Sequence, residues 1–173
     1  PFLAAADRLR ETSMEKFGDE GRSAFIDTFT SGKNQVTRHA NIFAILYDFV
    51  PEEVQRRILK KVLQNPDVNQ ITTPYFKFYE LEALCKLGEL DEMQDMLESY
   101  WGGMLRLGAT TIWEQFDPRE SGTEHLAMYG SKYGRSLCHA WGSGPIYLLG
   151  RYCLGVRLTS RSAAARLGKR AMI

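Results

Sequence analysis

The chain has few cysteines, almost no net charge and no long apolar run, and each of these shortages excludes something. Its 3 cysteines, Cys85, Cys138 and Cys153, are odd in number and far apart. That rules out a disulfide scaffold and gives no metal-ligand spacing. Cys85 and Cys153 fall in helical apolar patterns and read as small core residues. The formal net charge is +1, from 22 Lys and Arg against 21 Asp and Glu. Such a balance argues for neither a nucleic-acid nor a membrane-surface partner. No apolar run approaches the roughly 20 residues of a membrane span. The sequence begins at Pro1 and shows no signal-peptide pattern, as expected of a piece of a longer protein. Its compartment, cytoplasmic or periplasmic, stays open. Phosphate loop, dinucleotide fingerprint and Ser-His-Asp motif are all missing, and no cofactor is expected. Strand signals are also sparse: there is no Asn-Gly hairpin and no clean run of period 2.

What is present is ordinary globular material. The chain has 173 residues, 44% of them hydrophobic and 25% charged, enough for one domain with a real core. Residues 2–17 have helical propensity, with Gly18 as a stop, and 18–33 are turn-rich. Residues 34–50 predict a second helix, capped by Asn34, with Val36, Ala40, Phe43, Ala44 and Tyr47 on one face. Pro51, Glu52 and Glu53 open a third, which ends near Asn65 and Pro66. Thr73 and Pro74 open a fourth that Gly88 stops, and Leu90–Leu107 gives a fifth, interrupted at Gly102 and Gly103. A sixth covers Pro145–Leu154 and stops at Gly155.

Amphipathic helices (52–64, 89–100) thus alternate with more apolar, aromatic ones (34–50, 74–87). In an α/α toroid the apolar helices form the inner ring; an antiparallel bundle would give a similar pattern. The expected class is all-α. Residues 157–173 differ: they carry Arg157, Arg161, Arg166, Lys169 and Arg170 and no acid. They read as a disordered or non-native tail, or as a small basic helix. The expected division is therefore a helical domain over 1–156 and a basic tail over 157–173.

Chemistry concentrates between Gly108 and Gly150, in GATTIWEQFDPRESGTEHLAMYGSKYGRSLCHAWGSGPIYLLG. Aromatic rings for the C–H faces of sugars, with carboxylates and imidazoles for the hydroxyls, make a carbohydrate-binding mixture. The same composition suits a glycine-rich loop with core tryptophans. Glu114 lies between Trp113 and Phe116. A carboxylate walled by rings loses hydration, which raises its pKa and suits it to acid or base work. Thr110 and Thr111 are placed to orient it; alternatively it is a solvated residue at a helix start. His139, two residues before Trp141, is either a donor to a sugar hydroxyl or a buried structural histidine. Neither His39 nor His125 has a partner at metal spacing, so no metal site is expected. Tyr75, Phe76, Phe78 and Tyr79 are mostly core at helical spacing, with one or two facing a cavity.

TTIWEQFDP followed by YGRSLCHAWGSGPIYLLGRYCLGVRLT resembles the C-terminal half of the catalytic domain of bacterial α-L-rhamnosidases. NQVTRHANIFAILYDFVPEE and TPYFKFYELEALCKLGELDEM resemble the helices that precede those motifs in the same family. The resemblance runs over about residues 1–159. It implies about half of a six-hairpin (α/α)6 barrel, and a parent enzyme that cleaves terminal α-L-rhamnose with inversion. Glu114 would be the general base, His139 would line the sugar pocket, and Trp113 and Trp141 would be aromatic positions near it; Tyr75, placed by Pro74 in the first turn of its helix, is the further ring expected to face the substrate. Inversion needs a second carboxylate about 6.5–9.5 Å away as general acid. In the family that acid belongs to the barrel's first half, which has no counterpart here. If the chain alone were active, a second carboxylate such as Glu80 or Glu124 would have to stand in for it. After Thr159 the family pattern is lost, as a frameshift, truncation or expression artefact would leave it. The implied partners are a rhamnoside substrate and either a second copy or the remaining half of the parent barrel. The rival expectation is a non-catalytic helical module of the same ancestry that binds carbohydrate or protein.

Overall fold

The computed structural model describes residues 2–28, 30, 32 and 34–156. The basic tail expected over 157–173 lies outside the described residues. Among the described residues six α-helices carry the fold: α1 (Phe2–Phe17), α2 (Arg38–Leu46), α3 (Glu52–Ile58), α4 (Pro74–Leu87), α5 (Leu90–Arg106) and α6 (Gly144–Leu148). α3 continues as a π-helical turn over Leu59–Leu63, and α6 as another over Leu149–Cys153. The turn-rich segment after α1 contains a two-residue hairpin, β1 (Gly18–Asp19) with β2 (Ala24–Phe25), paired antiparallel.

Helix α4 occupies the centre and packs on α2, α5 and α6. Proline at its first position, where no amide is needed, starts it. Gly88, at φ 88°, ends it. Helix α3 follows α2 and returns along it, as α5 follows α4. The core lies between these layers: Ile42, Ile45, Ile58, Leu81, Leu84, Met93, Met104 and Leu148 are fully buried. α1 has no fully buried residue, but its last residue, Phe17, packs on the core and Arg10 lies 5.6 Å from the centre of the Phe49 ring.

Three expectations are corrected. Helix α2 begins at Arg38 rather than Asn34, with Thr37 as its cap. Asn34 takes a left-handed φ of 45°, and Val36 instead forms a bridge with Ile26. The buried face of α2 is Arg38, Asn41, Ile42, Ala44 and Ile45; Ala44 is buried as expected, but Tyr47 points to solvent. Helix α5 runs unbroken through Gly102 and Gly103. Gly103 is there for close approach: a Cβ on it would lie 2.7 Å from the Phe116 ring. Cys153 is exposed, whereas Cys85 is buried as expected.

The core also holds an ion cluster. Arg38 and Lys77 both bond to the carboxylate of Glu80, which is 0% exposed; Lys77 Nζ lies 2.7 Å from Glu80 Oε2. Arg38 also donates to the carbonyls of Leu63 (2.5 Å) and Asn65 (3.0 Å). It thereby ties α2 to α4 and to the turn after α3.

Candidate active site

Two segments distant in sequence lie side by side. The Glu114 amide donates to the Ser136 carbonyl (2.9 Å), and the His139 amide donates to the Ile112 carbonyl (2.8 Å). The Thr111 hydroxyl donates to the Leu137 carbonyl. Thr111 therefore stitches the two segments together rather than orienting Glu114. The Glu114 carboxylate, half-buried, accepts the Ser136 amide at 3.1 Å through Oε2. The Phe116 amide donates to the Thr72 carbonyl (2.8 Å) and fixes the far end of this ladder to the turn before α4.

Beyond the ladder, the His139 ring meets Trp141 at 5.5 Å between centroids, and Trp141 meets Tyr75 at 5.4 Å, tilted by 48°. Trp141 is 70% exposed and Tyr75 42%. Isolated exposed apolar rings are common, but a contiguous row of them marks a surface that receives something. The row has a rigid backing. The Trp101 indole N–H, inside the core, donates to the Gly142 carbonyl at 2.9 Å. Gly142 sits so close to α4 that a Cβ would fall 2.1 Å from Ile112 Cγ2 and 3.0 Å from Pro74 Cβ. Tyr75 stands in the first turn of α4, and its hydroxyl accepts from Tyr79 (3.5 Å). That bond, more than burial, pushes the Tyr79 phenol up to about 12.

Not every predicted site residue joins this surface. Trp113 is only 7% exposed. Its ring faces Phe116 at 6.3 Å and His125 at 6.1 Å, inside the core. So neither Trp113 nor Phe116 leaves its ring on the surface beside Glu114. Glu80 is enclosed by Arg38 and Lys77. Glu124 accepts the Ser121 amide (2.7 Å) in a capping box. His39 is a residue the sequence did not bring forward. It is exposed in the first turn of α2, with its ring 4.4 Å from that of Phe76. No motif in the sequence marks it; the packing of α2 on α4 brings it beside Phe76. Among the described residues, no group of three or more His, Cys, Asp or Glu is arranged to hold a metal ion. Nor is any described helix long and apolar enough to cross a membrane.

Residues 3–153 match the family model of the bacterial α-L-rhamnosidase six-hairpin glycosidase domain. The chain belongs to that family. Among solved structures it is similar to a rhamnosidase from Klebsiella oxytoca with rhamnose bound. The TM-score is 0.72 at 28% identity, over 90% of this chain and 30% of that one. It is also similar to the GH78 family rhamnosidase of Bacillus sp. GL1, with a TM-score of 0.71 at 29% identity, over 86% of this chain and 16% of that one. No curated protein matches it. The six helices are thus a fragment of an all-α toroid, as the alternation of apolar and amphipathic helices suggested, and a plain antiparallel bundle is set aside. The chain spans 30% and 16% of the two rhamnosidases.

Proposed function

We propose that this chain is the C-terminal half of the (α/α)6 catalytic domain of an inverting α-L-rhamnosidase, over residues 1–156. The observation that carries this is the joining of the Glu114 and His139 segments beside the exposed Trp141–Tyr75 wall. Glu114 acts as general base: it takes a proton from a water, whose oxygen attacks the anomeric carbon as the bond to the leaving group breaks. Trp141 and Tyr75 receive the apolar face and methyl group of the sugar. His139 hydrogen-bonds its hydroxyls. Trp113 supports the ladder from the core side. The proton for the leaving oxygen comes from a carboxylic acid outside this chain, since Glu80 is enclosed and Glu124 is tied up in its cap. No cofactor takes part.

The rest of the barrel, or a second copy, covers the faces left open. Tyr47 is exposed just after α2, Ile146 and Tyr147 on α6, and Phe2, Leu3 and Leu9 on α1. So much apolar surface is rarely tolerated on a soluble monomer. Two measurements test the proposal. Sedimentation of the isolated chain should show self-association, and the chain alone should release no nitrophenol from an aryl α-L-rhamnoside; a stable, active monomer would refute both. In the intact protein, proton NMR should show β-L-rhamnose as the first product, and α-L-rhamnose would rule out inversion.

The second reading is a non-catalytic carbohydrate-binding module. The unavailability of Glu80 and Glu124 as a second carboxylate favours it for the chain by itself. Rhamnose binding without turnover by the intact protein would establish it.

A further inference from the structure

A carboxylate works as a base only if it is held in line with the proton it takes. One oxygen of Glu114, Oε2, accepts the Ser136 amide at 3.1 Å, while the Glu114 amide donates to the Ser136 carbonyl at 2.9 Å. The carboxylate is thus aimed by the direction of the Ser136 N–H, which leaves Oε1 for the proton of the water. What fixes that N–H is its neighbour. Residues 115–135 form the loop that joins the Glu114 and His139 segments, and Arg135 sits where the loop closes. Its side chain is 2% exposed. Nη1 donates to Glu120 Oε2 at 2.8 Å, and Nη2 donates to Glu120 Oε1 and to the Ala127 carbonyl, both at 3.2 Å. The Arg135 amide donates to the Leu126 carbonyl at 3.1 Å. On this basis, which rests on the proposed role of Glu114, we infer that Arg135 and Glu120 are positioning residues of the reaction. They hold the Ser136 amide, and through it the Glu114 carboxylate, in line with the attacking water.

An exposed ion pair would fix little. This one is two-pronged, which sets the plane of the guanidinium as well as its distance, and it reaches both segments. Arg135 adjoins Ser136 on one side. On the other, His125 Nδ1 lies 3.4 Å from Glu120 Oε2, and the His125 ring stacks at 5.5 Å on Phe116, two residues past Glu114. The sugar-facing side has separate anchors: the His139 amide on the Ile112 carbonyl, and the Trp101 indole on the Gly142 carbonyl. Loosening Arg135 therefore disturbs the base and spares the Trp141–Tyr75 wall. The rate should suffer and the affinity for the sugar should not.

The test uses the intact protein with two variants. Glu120→Gln removes the anion at a side chain that is 26% exposed. Arg135→Met removes the cation instead and leaves no buried charge without a partner. Turnover of 4-nitrophenyl α-L-rhamnoside and calorimetric affinity for L-rhamnose are measured for each. Displacing a reacting group by about 1 Å can cost about 100-fold in rate. Each variant should therefore lower kcat by about 30–100-fold, with rhamnose affinity held within about twofold. Combined with Glu114→Gln, neither should reduce the residual rate more than about twofold further, because a residue acting through Glu114 has nothing left to act on. An unchanged kcat, a loss of affinity that matches the loss of rate, or losses that multiply with that of Glu114→Gln would each overturn the inference. So would failure of both variants to fold, which would assign the pair to the fold alone. Near-normal turnover by Glu114→Gln by itself would instead overturn the base assignment, and this inference with it.

Discussion

Glu80→Gln should be among the most damaging single substitutions in this domain, though it removes only a charge. Glu80 is 0% exposed, and its two cations, Arg38 and Lys77, have side chains 1% and 6% exposed. Breaking a buried pair by removing one partner costs about 3–5 kcal/mol, because it leaves the other charge without compensation. Here two cations lose one anion. Arg38 keeps the carbonyls of Leu63, Asn65 and Val68 as acceptors, which holds its share of the loss down. Lys77 keeps the Tyr100 ring, 5.6 Å from Nζ, a weak substitute for a carboxylate. The expected loss is about 4 kcal/mol, a large part of a domain stability of roughly 5–15 kcal/mol. At this chain length that lowers Tm by about 8–16 °C. Urea denaturation followed by far-ultraviolet circular dichroism measures it: the midpoint should fall with the slope unchanged. Adding Lys77→Met removes one orphaned cation and should recover about 1–2 kcal/mol. A loss below about 1 kcal/mol for Glu80→Gln, or no recovery in the double variant, would refute the claim that this cluster is a tightly desolvated tie between α2 and α4.

Three further outcomes follow from the geometry. Gly142→Ala should destabilise the fold by about 1–3 kcal/mol and weaken rhamnoside binding, since its methyl would overlap Ile112 and Pro74 and push Trp141 off Tyr75; unchanged melting and binding would mean the turn has slack. Cys138 and Cys153 are exposed, whereas burial pushes the Cys85 thiol up to about 12, so an aromatic disulfide reagent should titrate two thiols quickly and the third only on unfolding; three fast thiols would contradict that burial. Tyr79 and Tyr152 are raised to about 12 from an ordinary 10.0, Tyr79 chiefly by its bond to Tyr75 and Tyr152 by burial, and burial raises Tyr100 as well. A raised phenol contributes stability that is complete below its unfolded pKa and lost above it, so the melting temperature should hold to about pH 9 and fall steeply past pH 10; a flat profile to pH 11.5 would refute this.

Much of the fold was legible because its punctuation is local. Pro74 and Gly88 bracket α4 in the sequence as they do in the structure, and α1 and α5 follow their propensity. What was not legible depends on long-range partners. Nothing around Arg38 announces burial, since its carboxylate partner lies 42 residues away. Asn34 looked like a helix cap, but tertiary pairing of Val36 with Ile26 takes that segment elsewhere. Gly103 looked like a helix breaker, and Phe116 explains why it is not one. At the site, the Trp-Glu and His-Ala-Trp motifs stood out by composition. Composition could not show that Trp113 turns inward while Trp141 stays out, nor that Thr111 bonds to Leu137. His39 carried no motif and became visible only when α2 and α4 were set side by side.

The most direct test of the account is the turnover of an aryl α-L-rhamnoside by the intact protein with Glu114→Gln. Glutamine preserves size and can still accept the Ser136 amide, but it cannot take the proton of the attacking water. The account predicts a fall in kcat of several powers of ten, with melting temperature and rhamnose affinity nearly unchanged. Turnover within about tenfold of the unaltered protein would contradict the assignment of Glu114 as the base.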